Sequence, residues 1–240
     1  MALKYLLTGG TSGIGLAFAK SLSNTDSDVT FIARNKEKIE KVLKDLIYKS
    51  SRYILSDLNF PDQIDKSINE AFLKDNYPDV FIYSAGSAKP ITAKKASCKN
   101  ILEVLNVNFI SFAAIMRNLL RYKPKEKLLK VIAISSKAVD SPFSGNGIYA
   151  ASKAALEAYI RCTACEYGKQ DLCINALSLG WVDTPMANNS FLALQHENFD
   201  EWLRSGPQPE GLIPVAKVVK KIKQILSPEF KNMSGLVFDL

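Results

Sequence analysis

The segment Thr8-Gly9-Gly10-Thr11-Ser12-Gly13-Ile14-Gly15 limits the fold of this chain more than any other. It follows a short apolar run at residues 4–7 and opens a stretch whose apolar face begins at Ile14 and Leu16. A strand that turns through glycines into a helix is the first half of a βαβ unit. Glycines permit the tight turn and let backbone lie close to a pyrophosphate. The free amides and partial positive charge of the helix N-terminus attract the anion. A glycine motif alone also serves as a plain structural turn, so its weight comes from standing between a strand and a helix.

The rest of the chain repeats that rhythm. Short apolar runs at 4–7, 29–33, 53–55, 80–83, 130–134, 174–178 and 236–238 read as strands, and several are apolar almost throughout, as strands covered on both faces are. Between them, amphipathic stretches at 14–22, 36–47, 61–73, 101–121, 148–167 and 215–226 read as helices. Strand and helix in alternation predict a doubly wound α/β fold with a parallel sheet of seven strands and helices on both faces. A length of 240 residues suits one such domain around one core, and no repeat or low-complexity linker divides it. One segment breaks the pattern. Residues 187–212 are rich in polar residues, Gly and Pro yet hold Phe191, Leu192, Leu194, Phe199, Trp202 and Leu203, which predicts a lid over a substrate or, alternatively, a small helical excursion packed on the surface or at a subunit contact.

Composition excludes several classes. With 47% apolar and 23% charged residues the chain is ordinary for a folded globular protein. Four cysteines, Cys98, Cys162, Cys165 and Cys173, are too few and too irregular for a disulfide framework, and reduced thiols are expected. Cys162 and Cys165 have the gap of a metal half-site, but no second pair follows and the single histidine, His196, is distant, so no metal is expected. That lone histidine also argues against a Ser-His-Asp hydrolase. The net charge of +7 is spread over scattered lysines, which reads as solvated faces and predicts no nucleic-acid partner. No apolar run approaches the roughly 18 residues that span a bilayer, and residues 1–7 carry no signal-peptide pattern, so a cytoplasmic protein without a membrane partner is expected.

Two further features indicate chemistry. Arg34 ends the second strand, where dinucleotide folds that select NAD place an acid for the ribose hydroxyls. A guanidinium there suits bidentate binding of a 2′-phosphate and predicts NADP(H) over NAD(H), with Asn35 or Lys36 as helpers. Against it, the residue before the middle glycine is Ser12 and not a second cation for that phosphate. Tyr149 and Lys153 stand one helical turn apart, so both project from one face. With nine tyrosines such a pair arises easily by chance, and its register decides. Ser135-Ser136 follows the fifth strand, Tyr149-Ala150-Ala151-Ser152-Lys153 comes thirteen residues later, and the sixth strand leads into Leu179-Gly180-Trp181-Val182-Asp183-Thr184.

Thr-Gly-x-x-x-Gly-x-Gly, serine, tyrosine and lysine in this order resemble the classical short-chain dehydrogenase/reductase family, over nearly the whole chain. The resemblance implies a Rossmann fold and an oxidoreductase moving hydride between a nicotinamide and a carbonyl or alcohol substrate. It implies that Gly9, Thr11, Ser12, Gly13, Ile14 and Gly15 hold the dinucleotide. It places Asp57 and Leu58 near the adenine, Ala85 and Gly86 near the ribose, and Val182 and Thr184 by the carboxamide. Tyr149 and Lys153 also touch the cofactor. Asn108 matches the residue that orders a proton-carrying water, with Asn106 as the competing choice. Reduction puts negative charge on the carbonyl oxygen, so an acid must supply a proton there. A phenol is a reluctant donor, and Lys153 is expected to lower the Tyr149 pKa while Ser136 holds the substrate oxygen. Tyr83-Ser84 and Leu179 depart from the family's Asn-Asn and Pro. Relatives commonly pair through the two long helices, here 101–121 and 148–167, which implies a homo-oligomer. A catalytically silent NADP(H)-binding regulatory or interaction protein is the alternative, and the intact Ser136, Tyr149 and Lys153 argue against it.

Overall fold

In a computed structural model, which describes residues 2–168, 170–194, 198, 203 and 208–240, seven strands form one fully parallel sheet. They are β1 (Leu3–Thr8), β2 (Thr25–Ala33), β3 (Tyr48–Leu55), β4 (Val80–Tyr83), β5 (Leu129–Ser136), β6 (Leu172–Leu179) and β7 (Val237–Asp239), in the spatial order β3-β2-β1-β4-β5-β6-β7. The chain winds outward from β1 to β3, crosses back, and winds the other way from β4. The order therefore reverses between β1 and β4, and a crevice opens there at the carboxyl ends of the strands.

Helices α1 (Gly13–Leu22) and α2 (Lys36–Lys44) cover one face together with the last helix, Val215–Ile225, through Phe18, Ala19, Ile39, Val218 and Ile222. The other face carries α3 (Ile64–Ser67), α4 (Glu70–Asn76), α5 (Cys98–Leu105), α6 (Ser111–Arg121) and α7 (Gly147–Tyr167), with Ile64, Leu73, Phe112, Ile115, Leu156 and Ile160 in its core. Helix α8 (Pro185–Leu194) follows β6, and Val215–Ile225 is α9. By length and composition Cys98–Arg121 could cross a membrane. Here Phe112, Ile115, Met116 and Leu119 pack it against the sheet as a core element. Cys98, Cys162 and Cys165 are exposed and Cys173 is buried, all as free thiols.

The helix expected over 61–73 is broken into a 3₁₀ turn, α3 and α4. Ile68 leaves helical geometry at φ −119°, ψ 74°, and the Asn69 side chain accepts from the Phe72 amide to start a new helix. A local asparagine cap thus overrides the apolar periodicity. The helix expected over 36–47 ends at Lys44 because Tyr48–Leu55 pairs with β2, and β2 and β3 both begin earlier than their apolar cores indicate. The long helix expected over 101–121 starts at Cys98, where Ser97 and Asn100 form a capping box, and contains a π-helical turn at Asn106–Ile110.

Candidate active site

The cleft at the reversal point has a volume of 1220 Å³. Its first wall is the glycine turn. Gly9 and Gly13 take left-handed backbone, at φ +71° and +52°, that L side chains rarely adopt. A Cβ on Gly15 would lie 2.4 Å from the Gly9 carbonyl oxygen, so Gly15 lets α1 pack against the turn. Gly13 faces the cleft instead, with the Thr184 side chain 3.5 Å from where its Cβ would be. Ser12 caps α1 by position, yet its side chain makes no capping bond, so the first amides of the helix stay open to an anion. Thr11, Ser12, Gly13 and Ile14 line this wall.

Arg34 is exposed at the cleft edge, with no hydrogen bond or ion pair among the described residues. Its two expected helpers are engaged elsewhere. The Asn35 side chain accepts from the Lys38 amide to cap α2, and Lys36 stands 3.9 Å from Glu40. Asp57 lines the cleft and accepts from both nitrogens of Asn59 at 3.0 Å, beside a buried Leu58. Ala85 and Gly86 lie across from them, and the Ser84 and Ala85 amides donate to Thr8 Oγ1 at 3.1 Å. Thr8 thus fixes the loop after β4 to the loop after β1. Bare helix amides, a glycine without a Cβ toward the cleft and an unpaired guanidinium at its rim fit a phosphorylated dinucleotide.

Where the family has its asparagine pair, Tyr83 is fully buried, packs on Phe81 and Phe112, and donates its hydroxyl to the Val107 carbonyl in the π turn. Burial pushes its pKa far above the usual phenol range. Tyr83 therefore supplies a tie between β4 and the α5–α6 helix.

The second half of the cleft gathers the polar residues. Tyr149 and Lys153 project from α7 as expected, and the Lys153 ammonium lies 5.7 Å from the Tyr149 ring centre. Lys153 is buried at 2% exposure and donates to the Ile134 carbonyl at 2.7 Å. Burial lowers its pKa to about 8, opposed by the negative charge of Glu157. The expectation that Lys153 lowers the Tyr149 pKa is not met here: burial raises it, and the hydrogen bond with Ser136 is what opposes the rise. Ser136 also accepts from the Ala138 amide at 3.2 Å.

Of the two asparagines, Asn106 donates to the Asn59 carbonyl at 2.8 Å and holds the loop after β3. Asn108 is fully buried and faces the site. Its Oδ1 accepts from the Ser87 amide at 2.7 Å, and its Nδ2 donates to the Ser87 carbonyl at 2.9 Å and to Ser152 Oγ at 2.8 Å. Ser152 in turn donates to the Tyr149 carbonyl at 2.6 Å, so Asn108 ties the β4 loop to the helix that carries the tyrosine.

Thr184 donates to the Val182 carbonyl at 3.2 Å and accepts from the Ala187 amide at the start of α8. Where Leu179 replaces proline, the turn is held by Gln208, which accepts from the Trp181 amide at 2.7 Å and donates to the Trp181 carbonyl at 2.9 Å. A Cβ on Gly180 would lie 2.1 Å from the Gln208 oxygen, so the glycine makes room for this bond. Val182 bridges Ile213 in parallel. The lid expected over 187–212 lies partly outside the described residues, Phe199 and Trp202 among them; α8 forms its beginning, and Gln208 lies near its end. Sequence reasoning missed Thr8, Tyr83, Gln208 and the buried Glu157. Thr8 opens the glycine motif and Tyr83 stands out as a departure from the family's asparagine, but neither Gln208 nor Glu157 stands in a motif.

A model of the short chain dehydrogenase family matches residues 4–195. A fatty acyl-CoA reductase of Acinetobacter baylyi is 29% identical over 188 residues, covering 75% of this chain and 63% of that protein, so the match spans less than two thirds of that relative. The 3-oxoacyl-[acyl-carrier-protein] reductase FabG of Buchnera aphidicola is 25% identical over 232 residues, covering 97% of this chain and 93% of that one. Among solved structures, a single-substitution variant of an actinorhodin polyketide ketoreductase with NADPH superposes with a TM-score of 0.88 at 18% identity, over 100% of this chain and 95% of that one. That likeness concerns the fold. Family model, sheet order and glycine turn agree, and the chain belongs to the short chain dehydrogenase family.

Proposed function

We propose that this chain is an NADP(H)-dependent oxidoreductase that interconverts a carbonyl compound and its alcohol. The observation that carries the reading is one cleft with two chemically distinct halves, an anion-binding helix terminus with Arg34 at one end and the Ser136–Tyr149 contact with a buried Lys153 at the other. The related reductases and the NADPH of the ketoreductase structure support it. A bound nicotinamide supplies or accepts the hydride. The protein's own groups do the rest. The open amides of α1 bind the pyrophosphate, Arg34 pairs with the 2′-phosphate, Asp57 and Leu58 flank the adenine, and Val182 and Thr184 position the carboxamide. Tyr149 donates its proton to the carbonyl oxygen as negative charge develops there, and the Ser136 hydroxyl donates a hydrogen bond to the same oxygen. With a pKa of about 8, Lys153 is mostly charged at neutral pH and keeps the site positive. Asn108 orders a water that returns protons toward Lys153, and its three hydrogen bonds keep that corner rigid.

Residues 187–212 act as the lid of this cleft. Pairing through α5–α6 and α7, where Ile110 is exposed, is the corresponding oligomer. The test is a panel of aldehydes and ketones assayed with NADPH and then with NADH. Turnover with NADPH ahead of NADH is expected, and no turnover with either removes the oxidoreductase reading.

A further inference from the structure

Helix α7 begins on a residue whose side chain does nothing for the helix. Asn146 holds the N-cap position, where asparagine ordinarily accepts a hydrogen bond from one of the first free amides. Here it makes no capping bond, although the Ala150 amide donates to the Asn146 carbonyl at 2.9 Å and the first turn is regular. Asn146 is only 6% exposed, lines the cleft, and has no hydrogen-bond partner for its carboxamide among the described residues. A carboxamide carries two donors and an acceptor, and those of Asn146 are not fully enclosed but open on the cleft, where a ligand can meet them.

Its neighbours narrow what that partner is. Asn146 precedes Tyr149 by three residues, the spacing of adjacent side chains on a helix, and lies on the opposite side of the tyrosine from Lys153. Of the other polar residues that line the cleft, Gln208 is engaged with the Trp181 backbone. Phe143 and Trp181, with ring centres 5.8 Å apart, form an aromatic wall beside it. Besides the buried Lys153, four residues beyond Tyr149 on α7, the lysines of the cleft are the exposed Lys99 and Lys137 and Lys89, which is paired with Glu103. Asn146 is itself neutral, and the Lys153 ammonium lies beyond Tyr149 and donates to the Ile134 carbonyl, which favours an uncharged group at Asn146.

We propose that Asn146 is a substrate-recognition residue, whose carboxamide hydrogen-bonds a second, uncharged oxygen function that the substrate carries close to its reacting carbonyl. The Phe143 and Trp181 rings take the apolar remainder. The inference rests on the reading above that Tyr149 addresses the carbonyl, and it narrows the substrate class to ketones or aldehydes bearing a neighbouring ester, ketone or hydroxyl oxygen.

The experiment uses the full chain and two matched pairs, ethyl acetoacetate against 2-heptanone and 4-hydroxy-2-butanone against 2-pentanone. For each, kcat/KM is measured with saturating NADPH and binding by saturation-transfer NMR with saturating NADP⁺. Wild type is expected to favour the oxygen-bearing member by about tenfold or more, because a site built to hydrogen-bond an oxygen rejects the analogue that lacks it. Asn146→Leu, nearly isosteric, erases that preference and leaves the plain ketones within about twofold, whereas Asn146→Gln keeps part of it. The melting temperature does not fall, since no capping bond is lost. Equal handling of both members by wild type, or an equal loss on both in Asn146→Leu, overturns the recognition role and leaves the oxidoreductase reading standing. A binding preference that depends on Asn146 without any turnover overturns the oxidoreductase reading and leaves the recognition role standing.

Discussion

The two halves of the cleft are built from different material. The half proposed for the cofactor is backbone: bare amides at the start of α1, left-handed turns at Gly9 and Gly13, and loop amides gathered on Thr8. The half proposed for the substrate is side chain: Tyr149 on its helix, the Phe143–Trp181 wall and the Asn146 carboxamide. Backbone sites depend on where glycine is present and tolerate almost no added atoms. Side-chain sites can exchange one group for another without moving the frame. Keeping the first half while varying the second lets one fold serve many substrates.

Substitutions in each half sharpen this contrast. The largest effect is expected at Tyr149→Phe, which keeps the ring and removes the proton donor. Turnover should fall by about a hundredfold or more while NADPH affinity survives. A near-normal rate would take Tyr149 out of the chemistry.

Arg34→Ala comes next. Losing a charge-assisted hydrogen bond to phosphate should weaken NADPH by roughly ten- to a hundredfold and NADH far less, as read by fluorescence titration. Equal weakening of both dinucleotides would make Arg34 a structural residue.

Gly15→Ala tests the backbone half directly. Alanine is normally the better helix former by about 1 kcal/mol, but here its Cβ meets a backbone oxygen that no side-chain rotation can clear. A net destabilisation of about 1–3 kcal/mol in urea unfolding is expected, together with weaker dinucleotide binding. An unchanged or raised stability would show that the turn can yield.

The smallest effect concerns pH. Above about pH 8 Lys153 gives up its proton, and reduction should slow. Facing Lys153 are Tyr149 and Glu157 from α7, the neutral Asn108 from the π turn and the Ile134 carbonyl from β5. Glu157, which accepts from Ser135 at 2.5 Å and lies 3.6 Å from Arg161, is the negative charge that favours the ammonium. Glu157→Gln should therefore move the alkaline limb to lower pH, with rates near pH 8 roughly two- to fivefold lower than wild type. An unmoved pH profile would deny that coupling.

How far sequence alone reached follows the same division. The strand positions and the glycine turn were legible because they depend on local pattern, and Tyr149 with Lys153 because they stand one helical turn apart in register with Ser136 and the strands around them. What escaped notice joins distant parts of the chain: Thr8 to the β4 loop, Tyr83 to Val107, Trp181 to Gln208, Ser135 to Glu157. No local rule announces such partners. Where local patterns competed, as at Asn69, the cap prevailed over the apolar period and the expected helix split. The strand tips at Thr25 and Tyr48 were hidden because their residues are polar and partly exposed on a sheet whose outermost strand is β3.

The π turn at Asn106–Ile110 has a consequence for length. Each residue in an α-helix turns the chain by roughly 100°, and a π turn accommodates one surplus residue without straightening. Removing a single residue from this stretch would give a more regular helix and at the same time swing Asn106 or Asn108 away from the loop it holds. Its irregularity is thus a matter of phase: α5 and α6 are two helices set out of step so that Asn106 can reach the loop after β3 while Asn108 reaches the loop after β4.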